Sequence, residues 1–185
     1  MDLMSSAHVA LRRLDEALLE ALAATAAADA DPHEVMPPTG EDGPGWTAAR
    51  REAFVRFHRS RSLGADPAET VYAVLVTEPG PDGRPREAVA GAARLAPAPE
   101  PGAVEAGLWL GRSHRGRGVG TAVLALLLNE ARATGATGLI ARTDAAGPRT
   151  AASRRLLAAA GAGLETGGDG TVTARLPLTG RPRPA

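Results

Sequence analysis

The chain has 185 residues and a formal net charge of zero, because 21 arginines balance 21 acidic residues, and it contains neither lysine nor cysteine. The absence of cysteine excludes disulfide frameworks, zinc–thiolate sites, iron–sulfur clusters and thiol nucleophiles. The absence of lysine excludes P-loop phosphate sites and Schiff-base enzymes. The balanced charge argues against nucleic acid as a partner, since neutralising a phosphate backbone requires a basic excess.

The apolar residues are mostly small, because 40 positions are Ala, beside 22 Gly and 15 Pro. The larger apolar residues are clustered and periodic, so we expect one globular domain over residues 1–185 with a thin core of Leu and Val. No apolar run approaches the roughly 18 residues of a membrane span, and the N-terminus lacks the pattern of a signal peptide. These features predict a cytoplasmic protein with no membrane partner, and residues 179–185 are expected to be a disordered tail.

Hydrophobic patterning in the first half predicts a strand, two helices and a β-hairpin. The first helix opens with acidic residues at Asp15, and the second has Thr47 as its N-cap. The Pro-, Gly- and Asp-rich residues 29–45 between them predict a loop, and the turn residues at 79–83 predict a hairpin. The predicted ranges are strand 8–14, helices 15–28 and 47–64, and strands 71–76 and 87–95.

The second half alternates strands and helices. Gly135 and Gly161 each follow a helical pattern and predict its end, and Thr150 is expected to cap the last helix. The predicted ranges are strand 104–110, helix 121–133, strand 138–141, helix 150–160 and a closing hairpin of residues 164–178. The order β-α-α-β-β-β-α-β-α-β-β predicts an α/β fold, a single domain with a mixed sheet flanked by helices.

The informative motif is the Arg- and Gly-rich turn between strand 104–110 and the helix that follows. The N-terminus of a helix presents unpaired N–H groups and the positive end of its dipole, and glycines allow the backbone to approach a phosphate closely. A Walker A loop requires a lysine, and a dinucleotide fingerprint requires a third glycine at position 121, which is Thr. The spacing that fits is R-x-x-G-x-G over residues 115–120, with Arg112, Arg115 and Arg117 as possible phosphate contacts.

This hexapeptide, in its context between a strand and a helix, resembles the coenzyme A pyrophosphate loop of the GNAT superfamily of acyl-CoA N-acyltransferases. Downstream, residues 150–162 resemble the family pattern N-x-x-S-x-x-L-x-x-x-x-G-F. Thr150 replaces the usual Asn, Ala162 replaces the Phe, and Leu157 stands where many members have a Tyr that acts as general acid. The resemblance covers residues 68–178, and the order of elements at 8–62 is similar to the branch of ribosomal-protein alanine N-acetyltransferases.

The resemblance implies a GNAT-like, mostly antiparallel sheet, which opens between the strand ending at Leu110 and the next one. It also implies an acetyl-CoA-dependent transfer of an acetyl group to a primary amine, either a protein N-terminus or a small molecule. Acetyl-CoA would be the co-substrate, and the protein a monomer or homodimer. The residues expected at the coenzyme are Leu108, Trp109, Leu110, Arg115, Gly116, Arg117, Gly118, Val119, Gly120, Thr121, Thr150 and Ser153.

The catalytic residues implied by the resemblance are Glu165 as general base and Ser153 as general acid, with Glu105 as a rival base. Alternatives remain open: a non-catalytic acyl-CoA-binding or interaction module on the same fold, or an ordinary nucleotide-phosphate site. The four histidines lack metal-ligand spacing, so no metal is expected. His114 is expected to be solvated and His58 to lie in the core, whereas the arginines of helix 47–64 predict a solvated face.

Overall fold

The computed structural model describes residues 8–40, 43–144 and 148–178. In these residues seven strands and five α-helices follow one another, with a short 3₁₀ turn at Arg112–His114. The elements are β1 (Val9–Arg13), α1 (Glu16–Asp29), α2 (Pro32–Val35), α3 (Ala48–Ser62), β2 (Thr70–Pro79), β3 (Pro85–Pro97), β4 (Ala103–Leu110), α4 (Val119–Ala133), β5 (Gly138–Asp144), α5 (Pro148–Ala159), β6 (Gly163–Thr166) and β7 (Thr171–Pro177).

The predicted order of elements is confirmed, and local hydrogen bonds explain where the helices begin. The Asp15 carboxylate accepts a hydrogen bond of 2.8 Å from the Leu18 N–H, and the Thr47 hydroxyl accepts one of 3.1 Å from the Arg50 N–H. These N-caps satisfy N–H groups that have no partner inside the helix.

Three details differ from the sequence prediction. The expected loop at residues 29–45 contains the short helix α2, because Asp31 caps the His33 N–H at 2.9 Å and Pro32 has a backbone suited to a first helical turn. The prediction that Thr150 is an N-cap is wrong, since α5 begins at Pro148. The 3₁₀ turn was not predicted, and the predicted tail at 179–185 lies outside the described residues.

The seven strands form one mostly antiparallel sheet in the order β1-β2-β3-β4-β5-β7-β6. β4 and β5 are parallel, with Ala103 opposite Gly138 and Ala106 opposite Ala141. A parallel pair requires a long crossover, which α4 provides. Of the helices in the described residues, none is long and apolar enough to cross a membrane.

The chain divides into two compact units. The first runs up to Ala93 and takes in Leu108–Val123, and the second contains Arg94–Gly107 and continues from Leu124. In the first unit α1 and α3 pack against each other and against β2. Apolar side chains of α1 recur at helical spacing and are buried: Leu19, Leu22, Ala23 and Ala26.

α3 contributes the largest fully buried side chain of the first unit, Phe54. Its ring lies edge-on to Trp46 at 5.7 Å and to His58 at 4.5 Å between centroids, so the prediction that His58 is a core residue is confirmed. The prediction of a solvated arginine face is wrong at Arg50, which is 2% exposed. Its guanidinium donates to the Gly45 carbonyl at 2.5 Å, which gives the buried charge a hydrogen-bond acceptor.

In the second unit, β7 pairs antiparallel with both β5 and β6. Side chains alternate across each strand, so Leu139, Ala174 and Leu176 share one buried face. The opposite face contains Glu105 beside Ile140, which in turn lies beside Arg175. One face is therefore apolar, whereas the other carries charged side chains on both sides of the buried Ile140.

Candidate functional site

Residues 115–120, called the glycine turn, follow the 3₁₀ turn after β4 and include the first two residues of α4. Gly116 and Gly118 have φ angles of +71° and +78°, a region that residues with a side chain rarely adopt. A Cβ atom built on either glycine would meet no atom of the described residues within 4 Å. The glycines are therefore required by the backbone conformation, and the space beside them is open to a ligand.

α4 begins directly after Gly118. Its first helical hydrogen bond runs from the Ala122 N–H to the Gly118 carbonyl at 3.1 Å, so the N–H groups of residues 119–121 precede the helical ladder. Val119 is 3% exposed and anchors this end of the helix in the core, while Thr121 is exposed. An open backbone turn next to the positive end of a helix dipole can bind an anion.

The three arginines expected to contact phosphate differ in their surroundings. Arg112 and Arg117 are exposed. The Arg115 side chain instead donates from Nε to the Leu110 carbonyl at 2.9 Å and from Nη2 to the Glu34 carboxylate at 2.7 Å. Arg115 therefore directs two of its N–H donors to acceptors within the protein.

The residues just before the glycines are in contact with three carboxylates that no sequence motif predicts. Glu34 accepts a hydrogen bond from Arg115, and Asp29 accepts one from Ser113. The carboxylate of Glu78 lies 3.1 Å from Nε2 of His114. The expectation of a solvated His114 is wrong, since this residue is 9% exposed. No motif marks these acids, because each comes from a different element far away in sequence.

Asp29, the last residue of α1, accepts hydrogen bonds from the Ser113 N–H at 3.1 Å and the Ser113 hydroxyl at 2.5 Å. Partial burial works to raise the pKa of the Asp29 carboxyl group. The hydrogen bonds from Ser113, together with the charges of His114 and Arg112, outweigh burial and hold this pKa below its ordinary value. Asp29 therefore remains charged while it holds Ser113.

The end of β4 precedes the glycine turn, and its residues Leu108, Trp109 and Leu110 are half-buried. Trp109 lies edge-on to Phe54 at 6.4 Å between ring centroids. Beside it, a Cβ on Gly91 of β3 would overlap the Trp109 carbonyl, so the two strands come close only because residue 91 is a glycine. The Gly111 N–H then donates to the Ala90 carbonyl at 2.8 Å, which ties the end of β4 to β3.

The rival bases belong to the second unit. Glu105 on β4 accepts from Arg94 at 2.7 Å and also from Arg142, and its side chain is 22% exposed. The side chain of Arg94 lies across Gly107, where a Cβ would be 2.7 Å from its Nε. An amine substrate would have to displace an arginine to reach Glu105.

Glu165 on β6 is more accessible, with a side chain that is 74% exposed and paired with Arg175. Glu165 and Arg142 are both opposite Thr173, and Glu105 is opposite Ile140, which lies two residues before Arg142 on β5. Since side chains two residues apart on a strand share a face, Glu105 and Glu165 lie on the same face of this unit's sheet.

The other expected site residues of this unit lie on α5. Ser153 is half-buried in this helix, and Thr150 lies in its first turn. Among the described residues, no three His, Asp or Glu side chains form a group that could hold a metal ion.

Solved structures share this fold at low sequence identity. The N-acetyltransferase from Staphylococcus aureus is 20% identical with a TM-score of 0.57, over 93% of this chain and 99% of that chain. The Campylobacter jejuni N-acetyltransferase PseH in complex with acetyl coenzyme A is 13% identical with a TM-score of 0.60, over 92% and 99%. The spermidine/spermine N-acetyltransferase SpeG from Vibrio cholerae is 12% identical with a TM-score of 0.61, over 92% and 94%.

No curated protein matches the chain in a sequence comparison. The family model of the acetyltransferase (GNAT) domain, however, matches residues 8–162, which include α1 to α5, the glycine turn and the resembling motif from Thr150. The mixed sheet, the helices and the turn before α4 agree with that match. The chain therefore belongs to the GNAT acetyltransferase family.

Proposed function

We propose that the protein is an acetyl-CoA-dependent N-acetyltransferase that acts on a primary amine, either a protein N-terminus or a small molecule. The observation that carries this proposal is the glycine turn, where two glycines in left-handed conformation lead directly into the N-terminus of α4. Family membership and the acetyl coenzyme A bound to PseH support the choice of acyl donor.

The residues of the turn fit the diphosphate of coenzyme A. The N–H groups at the start of α4 would bind phosphate oxygens, and the exposed Arg112 and Arg117 would add charge-assisted contacts. The backbone of Leu108, Trp109 and Leu110 would lie along the thioester arm, with an N–H near Leu110 stabilising the developing oxyanion. By family analogy, Thr150 and Ser153 would lie beside the same arm.

The proposed reaction is direct attack of the amine on the thioester carbonyl. Glu165 removes a proton from the incoming ammonium, and the C–N bond forms as the carbonyl becomes an oxyanion. The C–S bond breaks as the Ser153 hydroxyl protonates the leaving thiolate, and the second proton that the nitrogen loses on becoming an amide returns to Ser153. The exposure of Glu165 supports its role, because its carboxylate is accessible to a substrate in solution. Glu105 remains the rival base.

A second candidate is a non-catalytic acyl-CoA-binding module on the same fold. Leu157 stands where many family members have a Tyr acid, and it is 7% exposed, so it packs in the core. Turnover separates the two candidates, because only an enzyme releases free coenzyme A when an amine is added.

Thiol release measures this turnover cleanly, since the chain contains no cysteine and adds no background to a thiol reagent. We expect calorimetry to show acetyl-CoA binding that ATP does not match, and a panel of amines to include one that releases thiol. Absence of acetyl-CoA binding at high micromolar concentration would contradict the proposal. Binding without thiol release across polyamines, aminoglycosides and peptide N-termini would favour the binding module.

Replacing Gly118 with Ala is expected to weaken acetyl-CoA binding about tenfold, because a left-handed conformation costs about 1–2 kcal/mol in a residue with a side chain. This strain is expected to shift the ligand-free turn away from the left-handed conformation seen at Gly118, and acetyl-CoA must then restore that conformation when it binds. Calorimetry with acetyl-CoA measures the change. Gly168→Ala is the matched control, since Gly168 lies outside the left-handed region and a Cβ there would have no atom of the described part of the chain within 4 Å. Equal affinities for the two variants would be inconsistent with phosphate binding by the turn.

A further inference from the structure

Three consecutive residues precede the glycines, and each is held by a carboxylate from a different part of the first unit. Ser113, His114 and Arg115 are called the tether triplet. The first contact comes from Asp29 at the end of α1, which accepts from both the backbone N–H and the hydroxyl of Ser113. A Cβ at Gly111 would overlap the Asp29 carboxylate, so this approach depends on the glycine that ends β4.

The second contact fixes the middle residue. The His114 ring has Nδ1 at 3.0 Å from the Ser113 hydroxyl and Nε2 at 3.1 Å from Glu78 on β2. The Asp29 carboxylate lies 3.8 Å from Nδ1, so His114 sits between two acids. With a side chain only 11% exposed, it connects the end of α1 to β2 through the triplet.

The third contact fixes the residue next to Gly116. Glu34 on α2 is 12% exposed and accepts a hydrogen bond of 2.7 Å from Arg115, whose side chain is 32% exposed. A charge-assisted hydrogen bond between partly buried groups is stronger than an exposed ion pair. Because Arg115 also donates to Leu110, its guanidinium joins the end of β4 to α2 across the start of the turn.

We propose that Glu34, through its ion pair with Arg115, is a positioning residue that holds the glycine turn in the conformation required to bind the diphosphate of acetyl-CoA. In this role Arg115 does not serve mainly as a phosphate ligand; it transmits the position of α2 to Gly116. Asp29 and Glu78 hold the other two members of the triplet in the same way. The identity of the ligand in this inference rests on the proposed function. The restraint that Glu34 places on the turn is independent of that function.

The direct test is amide hydrogen exchange in the ligand-free protein. Glu34→Ala is expected to increase exchange at residues 113–120 more than elsewhere in the described chain, with a modest fall in melting temperature because one hydrogen bond between charged groups is lost. Glu52→Ala is the matched control, because Glu52 is an exposed acid paired with Arg56 on α3, and it should leave exchange at 113–120 unchanged. Unchanged exchange in Glu34→Ala would refute the tether, whether or not the protein binds acetyl-CoA.

Kinetics separate positioning from general damage. Glu34→Ala is expected to raise KM for acetyl-CoA about tenfold, the effect of losing a hydrogen bond between charged groups, while kcat at saturation stays within a factor of two. With S-acetyl-pantetheine, which lacks the diphosphate, kcat/KM should not change. Glu34→Gln keeps an acceptor for Arg115 and should recover part of the affinity, and an equal loss with both acyl donors would count against the proposal.

A double-mutant cycle identifies the partner. Arg115→Ala and Glu34→Ala should each raise KM for acetyl-CoA, and the double variant should be no worse than the poorer single variant, because both changes break the same contact. Additive losses would mean that Arg115 binds phosphate directly, independently of Glu34, and would overturn the proposal. If the wild type binds no acetyl-CoA, the proposed function fails, while the exchange experiment still decides the tether.

Discussion

Glu165→Gln is expected to lower kcat for thiol release by about a hundredfold or more, the range observed when a general base is removed. The isosteric amide keeps the size and hydrogen-bonding capacity of the side chain but cannot take up the ammonium proton. Glu165 is exposed on β6, so the fold should tolerate the change and the affinity for acetyl-CoA should stay within a factor of two. Stopped assays at saturating acetyl-CoA and amine, with calorimetry on the same samples, measure both quantities.

The matched control for this prediction is Glu100→Gln. Glu100 is the other carboxylate on Arg175, at 3.4 Å, so its replacement also disturbs that arginine without removing the proposed base. The rival is tested by Glu105→Gln, which removes a charge held between Arg94 and Arg142 and is expected to lower the melting temperature more than kcat. A hundredfold loss of kcat in Glu105→Gln at an unchanged melting temperature, with Glu165→Gln active, would assign the base to Glu105.

His58→Phe is expected to make the protein more resistant to acid than the wild type. Burial lowers the pKa of His58 to about 4 from 6.5, although the charge of Glu69 works to raise this pKa and that of Arg61 to lower it further. Between about pH 6.5 and pH 4, His58 is protonated in the unfolded chain but neutral in the folded protein. The free energy of unfolding of the wild type therefore falls as the pH drops from about 6.5 to about 4. Below about pH 4, His58 causes no further change in stability.

The size of this effect follows from the shift in pKa. At pH 4.5 the buried histidine costs the wild type about 2.5 kcal/mol of unfolding free energy relative to pH 7. The variant has no titrating group at this position, and its new ring would pack beside Phe54, whose ring lies 4.5 Å from that of His58. Urea unfolding of both proteins at pH 7, 5.5 and 4.5 gives the comparison, and the exposed His33→Gln controls for losing a histidine. A gap between wild type and variant that stays constant with pH would contradict the prediction.

Features that depend on neighbours in sequence could be predicted. Asp15 and Thr47 cap their helices because each side chain reaches an N–H three residues ahead, a contact made within a single turn. Gly116 and Gly118 were identifiable because a strand followed by alternating glycines and a helix has few backbone solutions. The strand and helix order also follows from local apolar periodicity. The prediction that Thr150 caps α5 was wrong because Pro148, two residues earlier, is itself suited to begin a helix.

The surroundings of the candidate site could not be predicted in this way. Nothing local indicates that Arg50 would be buried or that His114 would be shielded from solvent, since both lie in Arg-rich segments that are typical of a surface. Their burial depends on which elements pack over them. The contact between Glu34 and Arg115 joins residues 81 positions apart, and the contact between Asp29 and Ser113 joins residues 84 apart.

The sequence by itself therefore determined the order of the longer elements, the Thr47 cap and the position of the glycine turn, because these depend on backbone geometry over a few residues. Only the tertiary structure decided what each charged side chain does. It pairs Arg115, an expected phosphate ligand, with Glu34, and it places Glu105 between two arginines, whereas the side chain of Glu165 is exposed beside Arg175. Charge interactions depend on distance and burial in space, and neither is encoded by spacing along the chain.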